Sequence, residues 1–173
     1  MCVYYGGGRM KEYNDYVGMT RRYLKSYKQF QITIENLSED INAQKQLLNS
    51  FSVPISRYGD EPGGGTSELN QVESVAYHRD ETKKKILELE GNIAELERIL
   101  HKLDRAMEGL GEQDKDIIKS YYIEGESWQQ IGHKNYYTEK CARDRGNRAL
   151  KDMAFMIFGI VAKPQQLRFV FAG

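Results

Sequence analysis

Two stretches of the chain, residues 13–51 and 72–110, carry apolar side chains at alternating spacings of three and four residues. This spacing is the heptad pattern of helices that pack side by side along a continuous seam. A segment rich in glycine and proline, residues 52–69, separates the two stretches and is typical of a loop. The pattern therefore predicts two long helices within residues 10–110, joined by this loop.

Because one loop joins the two predicted helices, the simplest arrangement is an antiparallel helical hairpin, a coiled coil within one chain. A parallel coiled coil between two chains is the alternative. Two registers, one heptad apart, align the seams of the hairpin. We favour the register that sets Gln44 opposite Arg79, since it gives the one charged seam residue a polar partner. Tyr27 lies opposite Leu96 in that register. We expect this hairpin to serve as a spacer or an oligomerisation stalk.

Beyond the second seam the pattern changes, and residues 111–159 read as three shorter helices. The first has acidic residues near its N-terminal end and stops at Gly125. Ser127 can cap the second helix, which carries the only tryptophan, Trp128, on its inward side. After a short turn, Thr138 can cap the third helix. A short helix, a turn and a further helix are the layout of a helix-turn-helix, so the predicted fold is all-α, a hairpin followed by a C-terminal helix-turn-helix domain.

The third helix divides into a small, apolar face and a polar, basic face. The inner face is predicted to contain Ala142, Gly146, Ala149, Leu150 and Met153. Residues 133–151 hold six Lys or Arg against two acids, whereas residues 112–126 hold five acids against two lysines. The chain as a whole has 25 basic and 25 acidic residues, so its net charge indicates no partner. The basic character is therefore local, and it belongs to the third helix.

A basic helix of this kind suits the major groove of DNA, because Arg and Asn bond base edges while Lys and Arg neutralise phosphates. The predicted DNA-binding residues are Thr138, Lys140, Arg143, Asn147, Arg148 and Lys151. Arg143 and Asn147 are expected at base edges, and Thr138 and Arg148 near phosphates. A solvated basic face without a ligand is the alternative. Double-stranded DNA is thus the expected partner, and a homodimer is expected because dimers commonly read paired half-sites.

The stretch LGEQDKDIIKSYYIEGESWQQIGHKNYYTEKCARDRGNRALKDM resembles region 4 of bacterial sigma factors. It is similar to the ArpU-type phage regulators of late transcription, whose pattern is matched by Tyr122, Gly125, Ser127, Trp128, Ile131 and Arg148–Leu150. The resemblance covers about a quarter of the chain and implies a sigma-like regulator of phage or prophage origin that acts with host RNA polymerase. Gly132 and Gly146 depart from the family pattern, in which Ala and a larger apolar residue are usual.

The sequence gives little indication of nucleotide binding, metal binding or catalysis. The glycine runs at 6–8 and 63–65 lack the Lys-Ser or Lys-Thr of a phosphate-binding loop, and the three histidines lack metal-ligand spacing. We therefore expect a protein that is not an enzyme and uses no cofactor and no metal. Two distant cysteines indicate a cytoplasmic setting, and the absence of a long apolar run indicates that no segment spans a membrane.

The sequence pattern predicts least about the two ends of the chain. Residues 1–9 are expected to be a disordered leader, and residues 160–173 a tail that forms either a short strand or a docking peptide. Near the end of the third helix, Phe155 and Phe158 fall outside its inner face, so they are expected to pack against the base of the hairpin or against a second subunit.

Three other functions remain open. A DNA-packaging protein similar to a small terminase subunit also joins a helix-turn-helix to long helices. The other two are a polymerase-binding adaptor that uses the acidic first helix, and a purely structural coiled coil.

Overall fold

The computed structural model describes the backbone of residues 9–50 and 65–162, and side chains within residues 16–50 and 73–162. All regular elements in the described residues are helical, so the all-α class is confirmed. In chain order the elements are α1 (Arg9–Lys25), α2 (Tyr27–Ser50), α3 (Gly65–Glu108), α4 (Glu112–Ile118), a π-helical turn (Lys119–Glu124), α5 (Trp128–Lys134), α6 (Glu139–Phe158) and a 3-10 turn (Gly159–Ala162). None of the described helices is both long and apolar enough to cross a membrane.

Parts of several predictions lie outside the described residues. These parts are residues 1–8 of the expected leader, residues 51–64 of the expected loop and residues 163–173 of the expected tail. Where the predictions and the described residues overlap, helix α3 begins at Gly65, inside the segment expected to be a loop. Helix α1 begins at Arg9, the last residue of the expected leader.

The predicted seams match the burial of the long helices. Every seam position between residues 16 and 48 and between residues 75 and 110 is buried or half-buried. The polar seam residues Thr20 and Thr82 are 0% and 7% exposed. The hydroxyl of Thr20 donates to the Tyr16 carbonyl at 2.9 Å, and the hydroxyl of Thr82 donates to the His78 carbonyl at 2.8 Å. Each threonine thus satisfies its hydroxyl within its own helix and needs no polar partner across the seam.

The chain forms two compact units. One contains the described residues within 1–30 and 98–173, and the other contains the described residues within 31–97. The boundary that the sequence suggested, between residues 110 and 111, therefore falls inside the first unit. This unit joins α1, the start of α2 and the end of α3 to the whole group of C-terminal helices.

The contacts within each unit contradict the register that sets Gln44 opposite Arg79. In the second unit, the Lys45 ammonium donates to Glu90 Oε1 at 3.1 Å, although the predicted register places Lys45 beside residue 78. In the first unit, the Tyr27 hydroxyl donates to Asp104 Oδ1 at 2.7 Å, whereas the predicted register sets Tyr27 opposite Leu96. Both contacts agree better with a register one heptad further along α3, so the predicted register is wrong.

Arg79 does not need the polar partner that the predicted register gives it. This residue is only half-buried, and a long arginine side chain can keep its charge in water while its stem lies against the seam. Its charge therefore demands no polar partner.

The Tyr27–Asp104 contact has its own electrostatic consequence. Burial of Tyr27 and its hydrogen bond to the Asp104 carboxylate raise the pKa of the Tyr27 phenol to about 12.

Helix α1 forms part of the core beneath the C-terminal helices. Leu24 is completely buried, in one cluster with Leu103 and Met107 of α3 and with Leu150 and Met153 of α6. Burial raises the pKa of the Tyr122 phenol in the π-helical turn, and the charge of Arg21 on α1 opposes this shift. The core of the C-terminal helices is therefore completed by residues from near the start of the chain.

The end of α6 is also covered by α1. The ring of Phe158 lies against the ring of Tyr16, with 5.0 Å between the ring centroids. Of the two arrangements expected for this apolar end, packing against the helices of the hairpin segment is the one observed for Phe158. Its ring therefore already has a partner within the chain.

Candidate nucleic-acid interface on α6

A capping box fixes the start of α5. The Ser127 hydroxyl accepts from the Gln130 backbone N–H at 3.3 Å, and the Gln130 side-chain oxygen accepts from the Ser127 N–H at 2.8 Å. This reciprocal pair satisfies two of the donors that a helix N-terminus leaves unpaired. The expected cap at Ser127 is confirmed. The preceding helical segment ends, as expected, at Gly125, whose φ is 80°.

The turn from α5 to α6 is a Schellman motif. The Tyr137 N–H donates to the Gly132 carbonyl at 2.8 Å, and the Tyr136 N–H donates to the His133 carbonyl at 3.4 Å. Tyr136 occupies the left-handed position of this motif with φ of 60°, where glycine is usual. The Asn135 side-chain amide donates to the Ile131 carbonyl at 3.1 Å, which holds the end of α5.

At Gly132 and Gly146 a larger residue would not fit. A Cβ atom at Gly132 would lie 2.8 Å from the Tyr137 carbonyl oxygen, because the turn passes directly over this residue. A Cβ atom at Gly146 would lie 2.7 Å from Cη2 of Trp128 and 3.2 Å from Cγ2 of Ile117. The tryptophan ring therefore occupies the space that a larger residue at position 146 would need.

Trp128 links the short helices to α6. Its ring stacks on Tyr121, with 3.7 Å between centroids and an interplanar angle of 16°. It packs against the small core formed by Ile117 of α4, Ile131 of α5 and Ala142 of α6. The inward position expected for the tryptophan is confirmed, and each of the three helices contributes one fully buried side chain beside it.

Helix α6 has the two faces that the sequence predicted. The Thr138 hydroxyl accepts from the Cys141 N–H at 3.2 Å, so the expected cap is confirmed. The inner-face residues are all buried: Ala142, Gly146, Ala149, Leu150 and Met153. Packing against α1, α4 and α5 therefore fixes which side of α6 is turned to solvent.

The predicted DNA-binding residues all lie at the surface. Five are exposed and Asn147 is half-buried; the exposed ones are Thr138, Lys140, Arg143, Arg148 and Lys151. From Thr138 to Lys151 the helix rises about 20 Å. Arg143 makes an ion pair with Glu139 one turn earlier, and both side chains are about half exposed. Exposed pairs of this type contribute little to stability, so Arg143 can exchange Glu139 for another partner at small cost.

Two other cations of this region pair with acids of α4. Arg145 donates from Nε to Asp114 of α4 and from Nη1 to the Tyr137 hydroxyl, and the hydrogen bond to Asp114 is the main cause that raises the Arg145 pKa. The Lys134 ammonium lies 3.6 Å from Asp116 Oδ1. Arg145 is half-buried and ties α6 to α4, so its charge belongs to the scaffold, whereas Lys134 of α5 stays about half exposed.

The outward charge of α6 is therefore smaller than the local sequence balance suggests. Four cations remain on the exposed side, Lys140, Arg143, Arg148 and Lys151, against three exposed acids on the same helix, Glu139, Asp144 and Asp152. The difference of four and three leaves a net charge of +1. Among the described residues, no three His, Cys, Asp or Glu side chains are grouped as a metal site.

Comparisons with protein-family models, with curated proteins and with solved structures found no match. The fold and the arrangement of α6 therefore carry the functional argument.

Proposed function

We propose that the protein is a sequence-specific DNA-binding transcription regulator. In this proposal α5, the turn at residues 135–138 and α6 form a helix-turn-helix, and α6 is the helix that enters the major groove. The observation that carries the proposal is the exposed, polar side of a helix whose opposite side is held rigidly by three other helices. A helix with its side chains is about 10–12 Å wide, which fits a groove about 12 Å wide.

The chemistry of the exposed side supports the same proposal. Arg143 and Asn147 lie one turn apart, so both can reach base edges in one groove. Lys140, Arg148 and Lys151 supply charge for phosphates on either side. Asn147 is half-buried, which restricts its amide to few orientations and favours a directional contact over a merely electrostatic one.

The rest of the chain has a place in this proposal. Helices α1, α2 and α3 form an antiparallel hairpin that acts as a spacer or an oligomerisation stalk. The resemblance to ArpU-type phage regulators and to sigma region 4 supports a phage or prophage origin and host RNA polymerase as a second partner in the cytoplasm. A homodimer remains part of the proposal, with an interface that does not use Phe158, because the ring of Phe158 packs on Tyr16.

The DNA-packaging protein is the alternative function, since a small terminase subunit would use the same helices. Light scattering separates the two, because a ring of many subunits is far larger than a dimer. The polymerase adaptor with an acidic docking helix is less favoured. Two of the five acids in residues 112–126, Asp114 and Asp116, already pair with Arg145 and Lys134.

The test is selection of DNA sequences bound by the full chain from a random pool. We expect a defined sequence to be enriched and its binding to weaken steeply with salt. A Lys45→Ala variant is the matched charge control, since Lys45 is an exposed cation of the second unit. Its binding should equal that of the wild type. If no sequence is enriched, the proposed reading of base edges is wrong.

A further inference from the structure

Tyr136 is an unusual residue of the turn before α6. Among the described residues it is the one non-glycine residue with a positive φ, and 97% of its surface is exposed. Its neighbour Tyr137 is turned inward, where its hydroxyl donates to Gln113 and accepts from Arg145. The two adjacent tyrosines thus have different environments, and the ring of Tyr136 has almost no packing within the chain.

The turn does not need this side chain. The hydrogen bonds that define the motif come from the backbone N–H groups of Tyr136 and Tyr137, and glycine would make the same bonds. A bulky side chain in the left-handed region is sterically unfavourable, because its Cβ approaches a backbone oxygen. The free protein therefore bears a cost at Tyr136 that no contact of the ring offsets. Strain of this kind is typical of residues whose side chain acts on a ligand.

The position of Tyr136 indicates which ligand. It lies two residues before the cap Thr138 and four before Lys140, at the end of α6 where the exposed polar side begins. When a helix lies in the major groove, the residues that precede it are close to the sugar-phosphate walls. A phenol hydroxyl is a hydrogen-bond donor, and tyrosine is among the side chains that contact phosphate oxygens.

We infer that Tyr136 is a DNA-backbone contact, whose hydroxyl donates a hydrogen bond to a phosphate oxygen beside the groove that α6 enters. This inference rests on the proposed DNA-binding function. It adds a residue that the sequence did not indicate, and it assigns to that residue a sequence-independent contribution to affinity.

The experiment compares two variants of the full chain. Tyr136→Asn removes the ring and places at this position a residue that tolerates the left-handed conformation. Tyr136→Phe keeps the ring and the strain but removes the hydroxyl. Tyr77→Phe is the matched control, since Tyr77 is 61% exposed on α3 in the second unit. Each protein is titrated with a selected DNA site and with random DNA of the same length, and its melting temperature is measured without DNA.

We expect Tyr136→Phe to weaken binding to both DNAs by roughly tenfold, as loss of one hydrogen bond to a charged group implies. Tyr136→Asn should weaken binding similarly and raise the melting temperature, while Tyr77→Phe should bind like the wild type. Wild-type affinity of both Tyr136 variants overturns the inference and leaves the proposed function intact. Loss on the selected site alone means a base contact and also overturns it. If the wild type binds no DNA, the proposed function and this inference fail together.

Discussion

The ring of Trp128 lies directly against the backbone of Gly146, leaving no room for a methyl group between α5 and α6. Replacement of a helical glycine by alanine ordinarily stabilises a helix by about 1 kcal/mol. At this position the new Cβ would overlap Cη2 of the indole, which is itself fixed by stacking on Tyr121. The close approach therefore reverses the usual sign of the substitution.

We predict that Gly146→Ala lowers the free energy of unfolding by about 1–3 kcal/mol, as overpacking of a core does. Gly91→Ala on α3 is the matched control, because a Cβ at Gly91 meets no atom within 4 Å. The control should be neutral or stabilising. Denaturant unfolding followed by tryptophan fluorescence and by circular dichroism checks both. Equal effects of the two substitutions would mean that Trp128 moves aside at no cost.

The contribution of α1 to the C-terminal helices gives a second prediction. Leu24→Ala should destabilise the first unit by about 2–5 kcal/mol, because the side chain is completely buried between α3 and α6. Leu47→Ala is the control, since Leu47 is 44% exposed in the second unit. Hydrogen exchange of the α6 amides reports the loss locally. A fragment that begins at residue 111 should fail to fold, and a well-protected α6 in that fragment would contradict the shared core.

The register of the hairpin gives a third prediction. One heptad beyond the predicted register, Gln44 lies opposite Ile86 instead of Arg79. In a background without the native cysteines, cysteines at 44 and 86 should therefore join through a short crosslinker more efficiently than cysteines at 44 and 79. Gel mobility of the looped and unlooped chains measures the yield. A higher yield for the pair at 44 and 79 would restore the original register and would contradict the Lys45–Glu90 contact.

Features decided by local sequence were predicted correctly. The seam spacing defined which sides of α2 and α3 are buried, and the caps at Ser127 and Thr138 are hydroxyl residues before short amphipathic segments. The inner face of α6 followed from helical geometry alone. Each of these features depends on neighbours within about one or two turns, so the pattern contained the necessary information.

Features decided by distant contacts were not predicted. Two registers satisfy the same seam, and Leu24, beside the seam rather than on it, gives no sign that it completes the core beneath α6. The partner of Arg145 is 31 residues away in the chain, so its charge could not be separated from the exposed cations. Tyr136 was missed because tyrosine is rare at a left-handed position, and no residue type around it signals the exception.

The last prediction separates base-reading residues from phosphate-binding ones on α6. Arg143→Ala and Asn147→Ala should each weaken binding to the selected DNA site by about 1–3 kcal/mol and relax the preference at one base position. Lys151→Ala should weaken binding to selected and random DNA alike and reduce the dependence of log affinity on log salt by about one unit. Both classes should leave the fold unchanged, because all three side chains lie outside the buried face of α6.

Titrations at several salt concentrations, with circular dichroism as the folding control, distinguish these outcomes. Lys45→Ala serves again as the control for a cation of the second unit. A Glu139→Gln variant tests the ion pair between Glu139 and Arg143. This variant should bind DNA at least as well as the wild type. Removing the acid releases the arginine and reduces the repulsion of phosphates. If the folded Arg143 and Asn147 variants bind both DNAs like the wild type, α6 does not read the sequence, and the proposed function is wrong.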